Sequence, residues 1–175
     1  MENQASSKGI ILNNGLYFGI ILVISSLIVY ALGMHLEPTG GYINFAIMAI
    51  AFIAFPIIGM SAFKKSNEGF MSWGQGVKIG VGIIVIGSII GTLYQVAFTT
   101  FIEPEFYAQV EEVTRKALLD AGSSEEQIEM QIEMQNKFQG TPVGYGIGIL
   151  FMAFVGFVIS TIVAAVKKQS EEETY

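Results

Sequence analysis

The sequence predicts an all-α fold: an integral membrane four-helix bundle with an extramembrane helical hairpin between the third and fourth spans. Three observations lead there. The chain is 52% hydrophobic and 14% charged over 175 residues, with a mean hydropathy of +0.56, whereas soluble domains carry roughly 25% charged residues. Four apolar runs are each long enough to cross about 30 Å of hydrocarbon at ~1.5 Å per residue. Between the last two runs, residues 103–140 hold nine of the fifteen acids and three of the nine bases, so the net charge of −6 is the balance of that one stretch. A single membrane domain over residues 1–175 is expected.

Residues 1–8 are polar and end in Lys8, a short tail or helical lead-in. The first span covers about 15–34. Ala31 and Gly33 would suit a signal-peptide cleavage site, but the run exceeds the 7–15 residues of such a signal's apolar core, so it is read as a span. The sequence His35-Leu36-Glu37-Pro38-Thr39-Gly40-Gly41 is expected to turn the chain into an antiparallel second span, about 43–63. Pro56 inside it removes a backbone donor and predicts a kink. Lys64–Gly76 is the next loop, in which Ser72 and Gln75 have capping-box spacing and Phe70 and Trp73 suit the membrane interface. The third span covers about 77–102. Thr141 and Pro142 restart the chain after the hairpin, span four covers about 143–166, and residues 167–175 form a polar tail.

Small residues line one face in three spans: Gly15 and Gly19 in the first, Gly80, Gly87 and Gly91 with Gln95 in the third, Gly148 and Gly156 in the fourth. Such stripes let helix backbones approach. They are expected to serve packing within the chain or a homo-oligomer contact.

In the hairpin, Glu103-Pro104-Glu105 suits a helix start and Gly122 a helix stop. Phe106, Val110, Val113 and Ala117 are expected to form the apolar stripe of the first helix, with Tyr107 and Leu118 flanking it. Ser123, with Glu126 three residues on, is expected to cap the second. The segment Gln127–Gln135 alternates polar and apolar residues with period two, a strand pattern. The caps and the helix-forming Glu, Gln and Met argue for helix instead. That helix has two apolar stripes, Ile128 with Ile132 and Met130 with Met134. It needs two neighbours, which makes these four residues the candidate partner contact.

Lysine and arginine placement sets orientation. Lys8, Lys64, Lys65, Lys78, Lys167 and Lys168 all fall on one side of a four-span topology. Both termini are therefore expected to be cytoplasmic, with the hairpin and the His35 turn on the opposite side. No ionisable residue lies mid-span, which argues against a proton-coupled pump. The chain has no cysteine. His35 and Glu37 lack the further ligands a metal needs, and no phosphate-binding glycine loop follows a strand. No cofactor, metal site or enzymatic activity is expected. The acidic balance argues against nucleic acid.

The run Asn14–Ile20 (NGLYFGI), the loop-to-helix segment Gly69–Gly80 (GFMSWGQGVKIG), Phe101–Phe106 (FIEPEF) and Ser123–Phe138 (SSEEQIEMQIEMQNKF) before a glycine-rich last span occur together in this order. In this the chain resembles the bacterial membrane-protein family known as domain of unknown function 4199, found chiefly in Bacteroidota. The resemblance covers about Lys8 to Lys168. It implies four spans in a bacterial inner membrane, with the hairpin in the periplasm, and it carries over no catalytic residue. Ser72–Lys78 (SWGQGVK) departs from an SFKEAFK-like form in the family and lacks its basic and acidic pair. The expected role is a structural or interaction protein of the inner membrane, an oligomer or accessory subunit, touching lipid and a membrane or periplasmic protein. The alternative is a small transporter or channel component, suggested by the polar strip Ser88–Gln95–Thr99.

Overall fold

The computed structural model describes residues 6–169. The expected polar tails therefore fall partly outside the described residues. Six α-helices follow in order: α1 Ser7–Ala31, α2 Pro38–Ser66, α3 Trp73–Ala97, α4 Phe106–Asp120, α5 Glu125–Phe138 and α6 Pro142–Lys167. A five-residue π-helical turn, Phe98–Ile102, extends α3. The protein is all-helical, and α1, α2, α6 and α3 with its extension are long and apolar enough to cross a membrane.

The helices begin earlier than the apolar runs. Pro38 takes the first position of α2, where its missing N–H and fixed φ are no handicap. Pro38 through Gly41 are therefore helical, and the turn is confined to 32–37. Gly40 is needed there, because a Cβ would collide with the Met34 carbonyl oxygen. α2 runs through the buried Pro56 as one continuous helix. The Ser72–Gln75 capping box is present, with the Ser72 hydroxyl accepting from the Gln75 N–H and the Gln75 side chain accepting from the Ser72 N–H. At the far end of α3 the Thr99 hydroxyl donates to the Gln95 carbonyl at 3.0 Å. The Glu103 N–H reaches back five residues to Phe98 O at 2.9 Å. A hydroxyl competing for a helix carbonyl loosens the regular ladder, and the π turn lies there.

α3 is the central helix. It packs against α1, α2 and α6, while α2 also touches α1 and α6. The up-and-down arrangement brings Ile10 to Gly59, Ile11 to Gly82 and Ala164 to Gly76. The core contains Phe18, Phe52, Phe55, Met60, Ile83 and Ile84, all buried. Phe18 meets Phe52 edge-on at 5.4 Å and Phe55 at 5.6 Å.

The lysine end is tied together by polar contacts. Met71 and Gln169 exchange two backbone hydrogen bonds of 2.9 Å. Lys64 Nζ donates to Lys167 O and Gln169 Oε1, and Lys167 Nζ donates to Ser61 Oγ at 2.7 Å.

Three expectations for the hairpin are corrected. α4 begins at Phe106, not Glu103, because Glu103 closes the preceding π turn through its N–H and stands before Pro104, which disfavours helical backbone at the residue before it. The Glu103 carboxylate instead joins the bundle to the hairpin. It accepts from Tyr30 Oη at 3.0 Å and from Gln109 Nε2 at 2.9 Å. Of the expected α4 stripe, Phe106 and Val110 are half-buried, as are Tyr107, Thr114 and Leu118, while Val113 and Ala117 are exposed. The cap of α5 is Ser124 with Gln127, not Ser123 with Glu126. The segment Gln127–Gln135 is helical throughout.

A candidate binding cavity at the hairpin end of the bundle

The predicted packing glycines divide into two groups. A Cβ on Gly15, Gly19 or Gly156 would stand 2.7–2.8 Å from Ile86, Ile90 or Ile84, and one on Gly80 or Gly87 would collide with Ser160 or Phe18. These five are the close contacts that let α1 and α6 lie against α3. Gly91 and Gly148 differ. A Cβ on Gly91 meets only Leu22 Cδ1 at 3.8 Å, and one on Gly148 meets nothing within 4 Å.

Both of those glycines line a cavity of about 520 Å³ with walls from α1, α2, α3 and α6. No charged side chain lines it. Its lower part is mostly apolar, built from Leu22, Met48, Phe52 and Met152 with the hydroxyl of Ser88; toward the hairpin it carries Ser25, Asn44, Gln95 and Tyr145. Ser25 Oγ donates to Asn44 Oδ1 at 2.6 Å, which leaves the Asn44 amide nitrogen as a donor. Ser88 also faces the cavity, while Thr99 of the same predicted strip does not line it. The sequence singled out Gln95 but not Asn44. Asn44 sits near the start of an apolar run, and only the fold brings it to Ser25, 19 residues earlier.

A second hollow of about 350 Å³ lies under the hairpin, lined by Tyr107, Phe138, Gln139 and Gly140 with Gln95 and Tyr145. Gln95 and Tyr145 thus form the partition between the two spaces. The Tyr107 and Tyr145 hydroxyls are hydrogen-bonded at 3.0 Å. Burial, with that hydrogen bond next, pushes the Tyr107 phenol above its usual pKa, and nearby Gln95 and Thr99 act the other way.

An aromatic cluster docks the hairpin on the bundle. Phe98 packs edge-on against Tyr30 at 5.0 Å and against Phe106 at 5.4 Å, and His35 lies tilted against Tyr30 at 4.8 Å and stacks on Phe106 at 6.5 Å. Glu37 is exposed and makes no cap hydrogen bond to α2.

On α5 the four candidate contact residues separate. Ile128 and Ile132 are buried, whereas Met130 and Met134 are 59% and 62% exposed. Arg115 of α4 holds the hairpin together across its face, 2.9 Å from Glu129 and 3.8 Å from Glu125. The hydrogen bond to Glu129 raises the guanidinium's already high pKa.

A family model described as "Protein of unknown function (DUF4199)" matches residues 13–169. The chain belongs to this family. No curated protein and no solved structure matches it. The match to the DUF4199 family spans all four apolar helices and the hairpin, so cavity, partition and hairpin all lie within the family's own region.

Proposed function

We propose that this DUF4199 protein is a non-enzymatic interaction protein of a bacterial inner membrane, acting as an accessory subunit whose periplasmic hairpin binds another protein. The observation that carries the reading is the exposed Met130–Met134 stripe, on the side of α5 away from the buried isoleucines. Methionine faces adapt to partner surfaces. Glu126 and Glu133 flank the stripe, with Lys137 at its end the one base beside it, and the hairpin as a whole has nine acids against three bases. A second copy of the same face would set like charges together. The fitting partner is therefore a protein with an apolar surface rimmed by basic residues.

Photo-crosslinkers at Met130 and Met134 in native membranes test this. The expected result is one protein adduct, lost in the Glu126→Lys/Glu133→Lys variant and weakened by salt. Adducts to lipid alone would overturn the reading, and a homodimer adduct would replace the partner with a second copy.

The cavity favours a second reading, a transporter or channel component. Against an open channel, Phe18, Phe52 and Phe55 pack together across the bundle beneath the cavity. If solutes pass, Gln95→Leu should reduce the flux of a reconstituted solute; unchanged flux of every solute tried would count against transport.

A further inference from the structure

We propose that the cavity at the hairpin end of the bundle is a lipid site, taking the acyl chain of a membrane lipid with its ester group among Asn44, Gln95 and Tyr145. This goes beyond the protein-binding reading and does not depend on it.

The lining sets the ligand's chemistry. With no charged group in the walls, a charged ligand would lose its hydration without recompense. The phosphate of a lipid therefore stays outside. The apolar floor of Leu22, Met48, Phe52 and Met152 suits a hydrocarbon chain. Toward the hairpin, the Asn44 amide nitrogen is a donor, because Ser25 occupies the amide oxygen. Gln95 supplies another amide, and Tyr145 a hydroxyl whose proton reaches the ligand when Tyr107 donates the hydrogen bond between them. Donors of this kind match ester carbonyl oxygens. The volume of about 520 Å³ lies within the roughly 300–1,000 Å³ of small-ligand sites.

The mouth sets the ligand's source. Phe45, 65% exposed, and the exposed Gly41 and Gly148 are both lining and surface residues. They belong to α2 and α6, and their level lies within two apolar membrane-length helices. The side-chain hydrogen bonds linking α2 to α6 and to Gln169 beyond it lie at the lysine end, through Lys64, Lys167 and Ser61. The cavity thus opens sideways, where a bilayer presents acyl chains. Gly91 and Gly148, with Gly41 at the mouth, are residues whose missing side chains keep the space open, since a Cβ at any of them would meet no neighbour closer than 3.8 Å.

The test uses the full chain reconstituted in phosphatidylethanolamine–phosphatidylglycerol vesicles, with some phosphatidylethanolamine carrying a diazirine on its acyl chain. After irradiation, adducts are located by peptide mass spectrometry. Met48 and Met152 are expected to be labelled several-fold more than Ile50 and Leu150, which face outward at similar levels, 68% and 71% exposed. Gly148→Leu should fill the cavity and remove the Met48 and Met152 adducts, leaving those at Ile50 and Leu150 unchanged. Gly91→Leu, which fills it from the opposite wall, serves if Gly148→Leu does not fold. Uniform labelling around α2 and α6, or cavity labelling unaffected by the folded variant, would overturn the proposal. So would a diazirine alcohol added from water that labels the cavity when the lipid does not.

Discussion

At the scale of single residues, the glycines show how far a spacing rule reaches. Steps of four and seven place glycines on one helix face, but they do not say what stands opposite. Gly87 faces the Phe18 ring, while Gly148 faces open space. The two positions should therefore answer differently to the same substitution. Gly87→Ala drives a methyl group into a fully buried ring, an overpacking cost of about 1–3 kcal/mol. The helix preference for Ala over Gly returns at most about 1 kcal/mol. The expected outcome is a lower thermal midpoint for the detergent-purified protein. Gly148→Ala has only the helix preference and should leave the midpoint unchanged or raised. If the two variants melt alike, the division of the glycines is wrong. Asn44 teaches the complementary lesson. Nothing within its own segment sets it apart, and its meaning comes from Ser25 on a different helix.

At the scale of elements, the hairpin was legible in type and less so in detail. The sequence Ser123-Ser124-Glu125-Glu126-Gln127 contains two overlapping capping patterns, Ser123 with Glu126 and Ser124 with Gln127. The preceding helix decides between them. Gly122, at φ +80°, closes α4 with two bonds, Gly122 N–H to Leu119 O and Ser123 N–H to Leu118 O. This C-terminal motif commits Ser123 to the end of α4 and leaves Ser124 to start α5. Ser124→Ala should therefore cost about 1 kcal/mol of local stability, read as faster amide exchange in the first turns of α5. The same change at Ser123 should have little effect, and equal effects would refute the assignment. The alternating pattern of Gln127–Gln135 also has a physical account: a helix sends alternate apolar residues to opposite sides, Ile128 and Ile132 inward and Met130 and Met134 outward. Docking of the hairpin carries a pH dependence through Tyr107. Its phenol pKa is raised above the ordinary 10.0. The neutral form is thus favoured in the docked state, and the stabilisation is present below pH 10 and lost as pH rises through the elevated value. Amide exchange in α4 should accelerate above pH 10 beyond the intrinsic rate, and Tyr107→Phe should abolish that extra acceleration.

At the scale of the whole molecule, the architecture followed from apolar runs and charge segregation, because in a bilayer the backbone must close its own hydrogen bonds and only helices do so within one segment. The cavity did not follow, since its walls come from four helices that are separate in sequence. The same segregation argues an orientation for the proposed inner-membrane protein. Lys64, Lys65, Lys78, Lys167 and Lys168 gather at the ends of α2, α3 and α6, with Lys8 at the matching end of α1. The opposite end carries the acidic hairpin. Lysine and arginine near span ends are retained on the cytoplasmic side; in the orientation proposed on that ground, the Met71–Gln169 clamp is cytoplasmic and the mouth of the cavity faces the periplasmic leaflet. The chain has no cysteine, so single introduced cysteines report without background. Glu112→Cys on exposed α4 and Lys65→Cys at the exposed end of α2 are suited to the test. In intact spheroplasts an impermeant maleimide should label Glu112→Cys at once and Lys65→Cys only after permeabilisation. The reverse pattern would turn the molecule over. The hairpin would then meet cytoplasmic partners, and the lipid site would draw from the inner leaflet.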